Sequence, residues 1–379
     1  MKSEVQKRRD YIPWIDAVRF LAILGVILCH VVDTAMAYPP ETDVEGFTFW
    51  TEVFKTFSRP SVALFVLLTG YLLLPVKEDS VSFYKKRLGR ILYPFLIWSV
   101  LYNMLPLALY SILGDMEAVK VMFPYYEADA PTWKDSLMAI VSIPFTFNIL
   151  TYPLWYVYML VGLYFLMPVI SPWVERSSKK ERNLMLVLWL VSLFIPYIHT
   201  FVVPYVFGEA EWNEFGMLYY FSGFVGYIVL GSIVKMNGKA SFGLSAGLSV
   251  LLFCLSTWAT YEGYHYMMSQ PEVTPEGMEL FFMFCTPNVM VMTLAISSLV
   301  SRFKTQSKVV LHILPTLSGC GFGIYMVHYL FIGPIDFLLA KMALPIWLHI
   351  PVCSLAVFAA AWAFILLLKK LPRSKFITG

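Results

Sequence analysis

The chain has 379 residues, 59% of them hydrophobic and only 14% charged, with a mean hydropathy of +0.68. That balance excludes a soluble globular domain and points to a polytopic membrane protein. A net charge of +3 says little about partners, because in such a protein the placement of charge matters more than its sum, and no nucleic-acid partner is expected.

Apolar runs of about 20 residues, bounded by charge or by turn residues, mark candidate membrane spans. Ten are expected, near 14–37, 53–75, 90–113, 153–173, 184–203, 215–234, 241–260, 278–300, 309–335 and 345–368. The first is too long for a signal core and lacks a small-residue cleavage site after it, so it is expected to stay as a span. With the N-terminus in the cytoplasm, 22 of the 28 basic residues fall on inner segments, the bias that the positive-inside rule describes. The expected fold is therefore all-α, a single membrane-embedded domain over 1–379 with about ten transmembrane helices and both termini cytoplasmic. Lys55 is placed in an outer segment. The longest outer segment, about 114–152, holds Leu137–Phe145, which is too short to span and is interrupted by Pro144. It reads as an interfacial or re-entrant piece. Cys29, Cys254, Cys285, Cys320 and Cys353 lie in apolar segments without paired spacing, and read as small hydrophobes rather than disulfide partners or metal ligands.

The first span, WIDAVRFLAILGVILCHVVDTAMA, carries Asp16, Arg19, His30 and Asp33. Charge in hydrocarbon costs several kcal/mol, so ionisable residues there point to function. Arg19 and His30 are eleven residues apart, which returns to within roughly 20° of one helical face and separates them by about 16 Å. Asp16 and Asp33 each stand at the i, i+3 spacing that lets side chains meet. Helical rise places Arg59 in the second span and His328 in the ninth at a depth similar to that of His30, so His30, Asp33, Arg59 and His328 are the candidate catalytic group. An imidazole can take a proton near neutral pH, and Arg59 can hold an oxyanion. In FYKKRLGRILYP, Arg87 and Arg90 are neighbours on a helical face, suited to phosphate oxygens, although basic residues also flank most inner helix ends. Cys29 points about 100° away from His30 and is badly placed for activation. His199, His265, His312 and His349 show no metal-ligand spacing, and no metal is expected.

These residues resemble the membrane-bound acyltransferase 3 family. YIPWIDAVRFLAILGVILCH is similar to its opening helix, with Arg, ten residues, then His, and KKRLGRILYP to its Arg-x-x-Arg motif. SRPSVALFVLLTGYLLLP, PLWYVYMLVGLYFLMPVI and GCGFGIYMVHYLF resemble its second, fourth and penultimate spans, and the likeness covers nearly the whole chain in order. It is closest to the surface-polysaccharide O-acetyltransferases of bacterial inner membranes. The resemblance implies an acyl-CoA donor, typically acetyl-CoA, bound through Arg19, Arg87 and Arg90. It also implies a glycan or lipid-linked sugar as acceptor, with membrane lipids around the chain. Under it His30, oriented by Asp33, is the general base, and Arg59 or His328 stabilises the oxyanion. Two departures stand out: Pro153 where the family often has His, and Thr69 for a usual Ser. The competing class is a secondary transporter or exporter using the same buried charges as a proton or solute path. Consumption of a CoA thioester separates the two.

Overall fold

The computed structural model describes residues 11–127, 129–236 and 243–379. Lys2, Lys7, Arg8, Arg9 and Lys239, which enter the charge count above, lie outside them. The described residues are all-α, without a strand. The helices used below are α1 (Pro13–Met36), α2 (Val44–Ser58), α3 (Pro60–Leu73), α4 (Ser80–Leu113), α5 (Met116–Met122), α6 (Trp133–Ser142), α7 (Trp155–Arg176), α8 (Lys179–Ser192), α9 (Val225–Met236), α10 (Ala246–Met268), α11 (Pro287–Val300), α12 (Lys308–Val327), α13 (Tyr329–Ala340), α14 (Ile346–Leu368) and α15 (Lys375–Thr378). Eight helical stretches among the described residues are long and apolar enough to cross a membrane, and they coincide with eight of the ten expected spans. The protein is an all-α, multi-pass membrane protein.

The other two expected spans differ in ways the sequence explains. Near 215–234 the regular helix is only the 12 residues of α9, preceded by a 3-10 turn at Gly216–Phe221. Gly216 and Gly223 there take positive φ, a backbone state that glycine allows and a helix does not continue through. Near 241–260 the helix α10 is 23 residues long, but Glu262 and His265 in its second half lower its apolar character.

Local signals set the helix ends. Asp79 caps α4 by accepting from the Ser82 amide, and Gly114 closes that helix in the left-handed conformation, as glycine readily does. Ser178 and Glu181 form a reciprocal capping box at the start of α8, satisfying two amides that the helix itself cannot. Helix α6 covers most of the piece expected to be interfacial or re-entrant. Leu137, Met138 and Val141 are exposed along it, the pattern of a helix lying in an interface.

Two compact units make up the chain. The first comprises the chain up to Ala22, Arg59–Pro75 and Ser171–Gly319; the second comprises Ile23–Ser58, Val76–Ile170 and Cys320–Gly379. In the first, Trp14, Ile15, Val18 and Ala22 of α1 pack with Leu64 and Leu68 of α3. Helices α3 and α9 approach so closely that a methyl at Gly70 would collide with the Ile228 carbonyl and one at Gly231 with the Leu67 carbonyl. Such contact is how small residues substitute for hydrophobic drive between helices in lipid. Ser249 of α10 and Ser298 of α11 add a buried hydrogen bond of 3.0 Å. In the second unit α13 packs on α14 and on α5, where Gly333 admits the Val121 carbonyl. Helix α15 lies against α4, with Trp98 Nε1 donating to the Ile377 carbonyl at 2.9 Å.

Candidate active site

In the second unit the C-terminal half of α1 meets the junction of α12 and α13. His30 is buried, and its ring centroid lies 5.4 Å from that of His328. Tyr329 and Tyr152 stand edge-on to His30 at 6.1 Å and 6.5 Å. His328 is wholly buried, and its Nδ1 lies 2.7 Å from the Tyr325 carbonyl oxygen. A carbonyl only accepts, so Nδ1 carries the proton and Nε2 of the neutral ring presents a lone pair. That Nε2 is buried with no hydrogen-bond partner. An orphaned polar atom costs about 1–3 kcal/mol, which a bound donor group would remove. In this tautomer Nε2 is a hydrogen-bond acceptor.

Asp33 follows one turn after His30, as its spacing predicts. Its Oδ2 lies 3.7 Å from His30 Nδ1 and its Oδ1 lies 3.8 Å from Lys55 Nζ. The first distance is too long for a hydrogen bond. At that distance the carboxylate and the ring form an ion-pair contact once the imidazole is protonated. Tyr125 donates from its hydroxyl to the Asp33 carbonyl. Burial, then the nearby Asp33 and Tyr38, push the Tyr125 phenol up to about 12, so it remains a donor at working pH. Cys29 Sγ approaches Asp33 Oδ2 at 3.8 Å, in keeping with its poor placement for activation by His30.

Lys55 is a residue that sequence reasoning missed, having been placed in an outer segment. It lies in α2 with only 12% of its side chain exposed. Tyr152, Tyr329 and Tyr125 were likewise unselected, because aromatic residues make up 17% of the chain and none of these stands out by spacing. The signal for Lys55 was its position four residues before Arg59, one helical turn.

Also in this unit, α4 carries Arg87 and Arg90. Arg90 is exposed, while Arg87 is half-buried beside Phe83, its guanidinium 6.0 Å from the ring. The buried Nε of Arg87 has no hydrogen-bond partner. Lys86 is engaged with Glu78 at 3.1 Å.

The remaining predicted residues belong to the first unit. Arg59 caps α3 and is buried, its Nη1 3.7 Å from Glu279 Oε2 and its guanidinium 4.4 Å over the Phe282 ring. Arg19 donates from Nη1 to Asp16 Oδ1 at 3.0 Å and to Ser318 Oγ at 3.1 Å. Ser318 in turn donates to Asp16 at 2.5 Å, and Tyr11 to its other oxygen at 2.9 Å. Asp16 is thus ringed by three donors. Beside this network α1 lines an apolar cavity of about 580 Å³ with Ala17, Phe20, Leu21, Leu299 and Leu314, and none of the predicted site residues faces it.

A family model described as an acyltransferase domain, the acyltransferase 3 type, matches residues 12–366. The match runs through both units and takes in Asp16, Arg19, His30, Asp33, Arg59, Arg87, Arg90 and His328. Neither a curated protein nor a solved structure matches the chain.

Proposed function

The chain belongs to the acyltransferase 3 family and is a membrane acyltransferase, and we propose from this that it is an O-acyltransferase moving an acyl group, typically acetyl, from acyl-CoA to a hydroxyl of a surface glycan or lipid-linked sugar. The proposed setting is the bacterial inner membrane. The observation that supports the reading best is the buried pair of imidazoles, one with a lone pair aimed at nothing else in the protein.

In this reading His30 removes the proton from the acceptor hydroxyl as its oxygen attacks the thioester carbonyl. The imidazolium that forms has two sources of support: the charge of Asp33, and the acceptor Nε2 of His328, to which it can donate. The phenols of Tyr152 and Tyr329, whose rings stand edge-on to His30, are neutral donors for the developing oxyanion. Collapse of the tetrahedral intermediate breaks the carbon–sulfur bond, and CoA leaves as the thiol after taking the proton back. Arg87 and Arg90 hold the phosphates of CoA, since guanidinium forks match phosphate oxygens.

The test uses the full chain in membranes or detergent, given acetyl-CoA and a glycan extract. Release of CoA together with a mass increase of one acetyl group on the glycan supports the reading, and His30→Ala stops both while expression is retained. Unchanged turnover in that variant removes the mechanism. Uptake of a solute without CoA release replaces the enzyme reading with a transporter.

A further inference from the structure

Helices α13 and α14 form a hairpin in the second unit, and three side chains of different chemistry converge on it. Asp336 comes from α13; His349 and Cys353 lie one turn apart on α14. Their donor atoms all lie within 4.8 Å of one another, and His349 Nε2 is 2.7 Å from Asp336 Oδ1. Cys353 is fully buried, while the Asp336 and His349 side chains are 19% and 11% exposed. The cluster therefore has a closed thiol end and an end that an ion can reach. None of the three takes part in the proposed transfer chemistry.

We propose that Asp336, His349 and Cys353 bind a divalent cation of borderline softness, with Zn²⁺ the best fit. Carboxylate, imidazole and thiolate together are the donor set that zinc accepts, and three protein ligands leave its fourth position for water. Bonds of about 2.0–2.3 Å at tetrahedral angles separate donor atoms by roughly 3.3–3.8 Å. Rotations of the three side chains cover the difference from the spacing seen here. In the metal-free cluster the proton between His349 and Asp336 lies where the cation would sit. On binding, the thiol proton of Cys353 is released to solvent, the imidazole proton moves to Nδ1, and the cation bridges the helices in place of one hydrogen bond. Bound there, it fastens the C-terminal half of α13, the helix that begins directly after His328, to α14.

Cobalt titration of the purified full chain, stripped with chelator and kept in detergent, tests the site. Co²⁺ is expected to give a thiolate-to-cobalt charge-transfer band and tetrahedral visible bands that saturate at about one equivalent. Cys353→Ser should abolish the charge-transfer band, while Cys254→Ser, at an exposed thiol elsewhere, should keep it. His349→Ala should weaken binding by more than about tenfold. In a second readout, Zn²⁺ retained by the wild-type chain after desalting, counted by elemental analysis, should approach one equivalent and fall in Asp336→Asn, and no zinc retained by the wild type overturns the proposal. Monodisperse wild-type protein that shows no charge-transfer band with excess Co²⁺, or a band that persists in Cys353→Ser, overturns the proposal. These outcomes do not depend on whether acyl transfer occurs.

Discussion

Two carboxylates on α1 stand three residues from a basic partner, Asp16 before Arg19 and Asp33 after His30, and the two pairs end differently. The first closes at 3.0 Å, with Ser318 and Tyr11 completing the shell around Asp16. The second stays open at 3.7 Å, with Lys55 sharing the carboxylate. Identical spacing thus yields one pair in hydrogen-bond contact and one at ion-pair distance whose carboxylate is shared with a lysine. The difference comes from the partners: an arginine fork has several donors and the reach to use them, whereas an imidazole has two nitrogens and is held by its neighbours. An unsatisfied buried group is a cost to the fold, and under the proposed function the one at His328 is where a hydrogen-bond donor would sit.

Substitutions should separate the open pair from the closed one. The largest effect is expected at His30→Ala, where loss of the base lowers acyl transfer by about 10²–10⁴-fold, measured as CoA release. His328→Ala should cost about tenfold to a hundredfold, the worth of a hydrogen bond to a charged group, and His328→Gln should recover part of it by restoring an acceptor. Replacing Arg87 and Arg90 together with Ala should raise KM for acyl-CoA at least about tenfold with kcat largely kept. The carboxylates then test the comparison itself. Asp33→Asn should slow turnover by up to about tenfold with little change in thermal stability, and Asp16→Asn should do the reverse. If both variants shift the same quantity, the distinction between the pairs fails.

The smallest effect is expected at a third i, i+3 pair, the Ser178–Glu181 box on α8, which calibrates what an exposed closed pair is worth. Ser178→Ala should cost about 1 kcal/mol in thermal unfolding. The hydrogen bonds from Ser178 hold the Glu181 carboxyl below its ordinary value of 4.5. Its contribution is therefore present above pH 4.5 and fades as the pH falls through the lower folded value. The Ser178→Ala deficit should shrink correspondingly in acid.

Much of this was legible in the sequence, because membrane spans announce themselves by length and hydropathy and Asp16, Arg19, His30 and Asp33 share one helix. Local spacing also marks Arg87 and Arg90 as neighbours on α4. What spacing cannot show is which pairs close. Beside the Asp33–His30 pair, Lys55 of α2 approaches the other carboxylate oxygen, a contact that spacing along α1 cannot show. The role of His328 depends on which of its nitrogens faces the Tyr325 carbonyl, a fact of backbone position that no side-chain pattern encodes. His349 and Cys353 do carry the one-turn spacing of paired ligands, but one such pair on an apolar helix is no metal motif. The third member, Asp336, lies across a turn on another helix. Shortening of the sixth span followed from Gly216 and Gly223, whose positive φ appears only once the backbone is built.

The crossing of α3 and α9 has a mechanical consequence. Where carbonyls sit in the hollows left by Gly70 and Gly231, there is no deformable side-chain layer to absorb sliding, so the two helices must travel as a single strut. Any rearrangement during turnover has to hinge outside this strut, and it carries Arg59, seated at the head of α3, along as a fixed passenger. An alanine at either glycine would pry the strut apart and show whether catalysis depends on its stiffness.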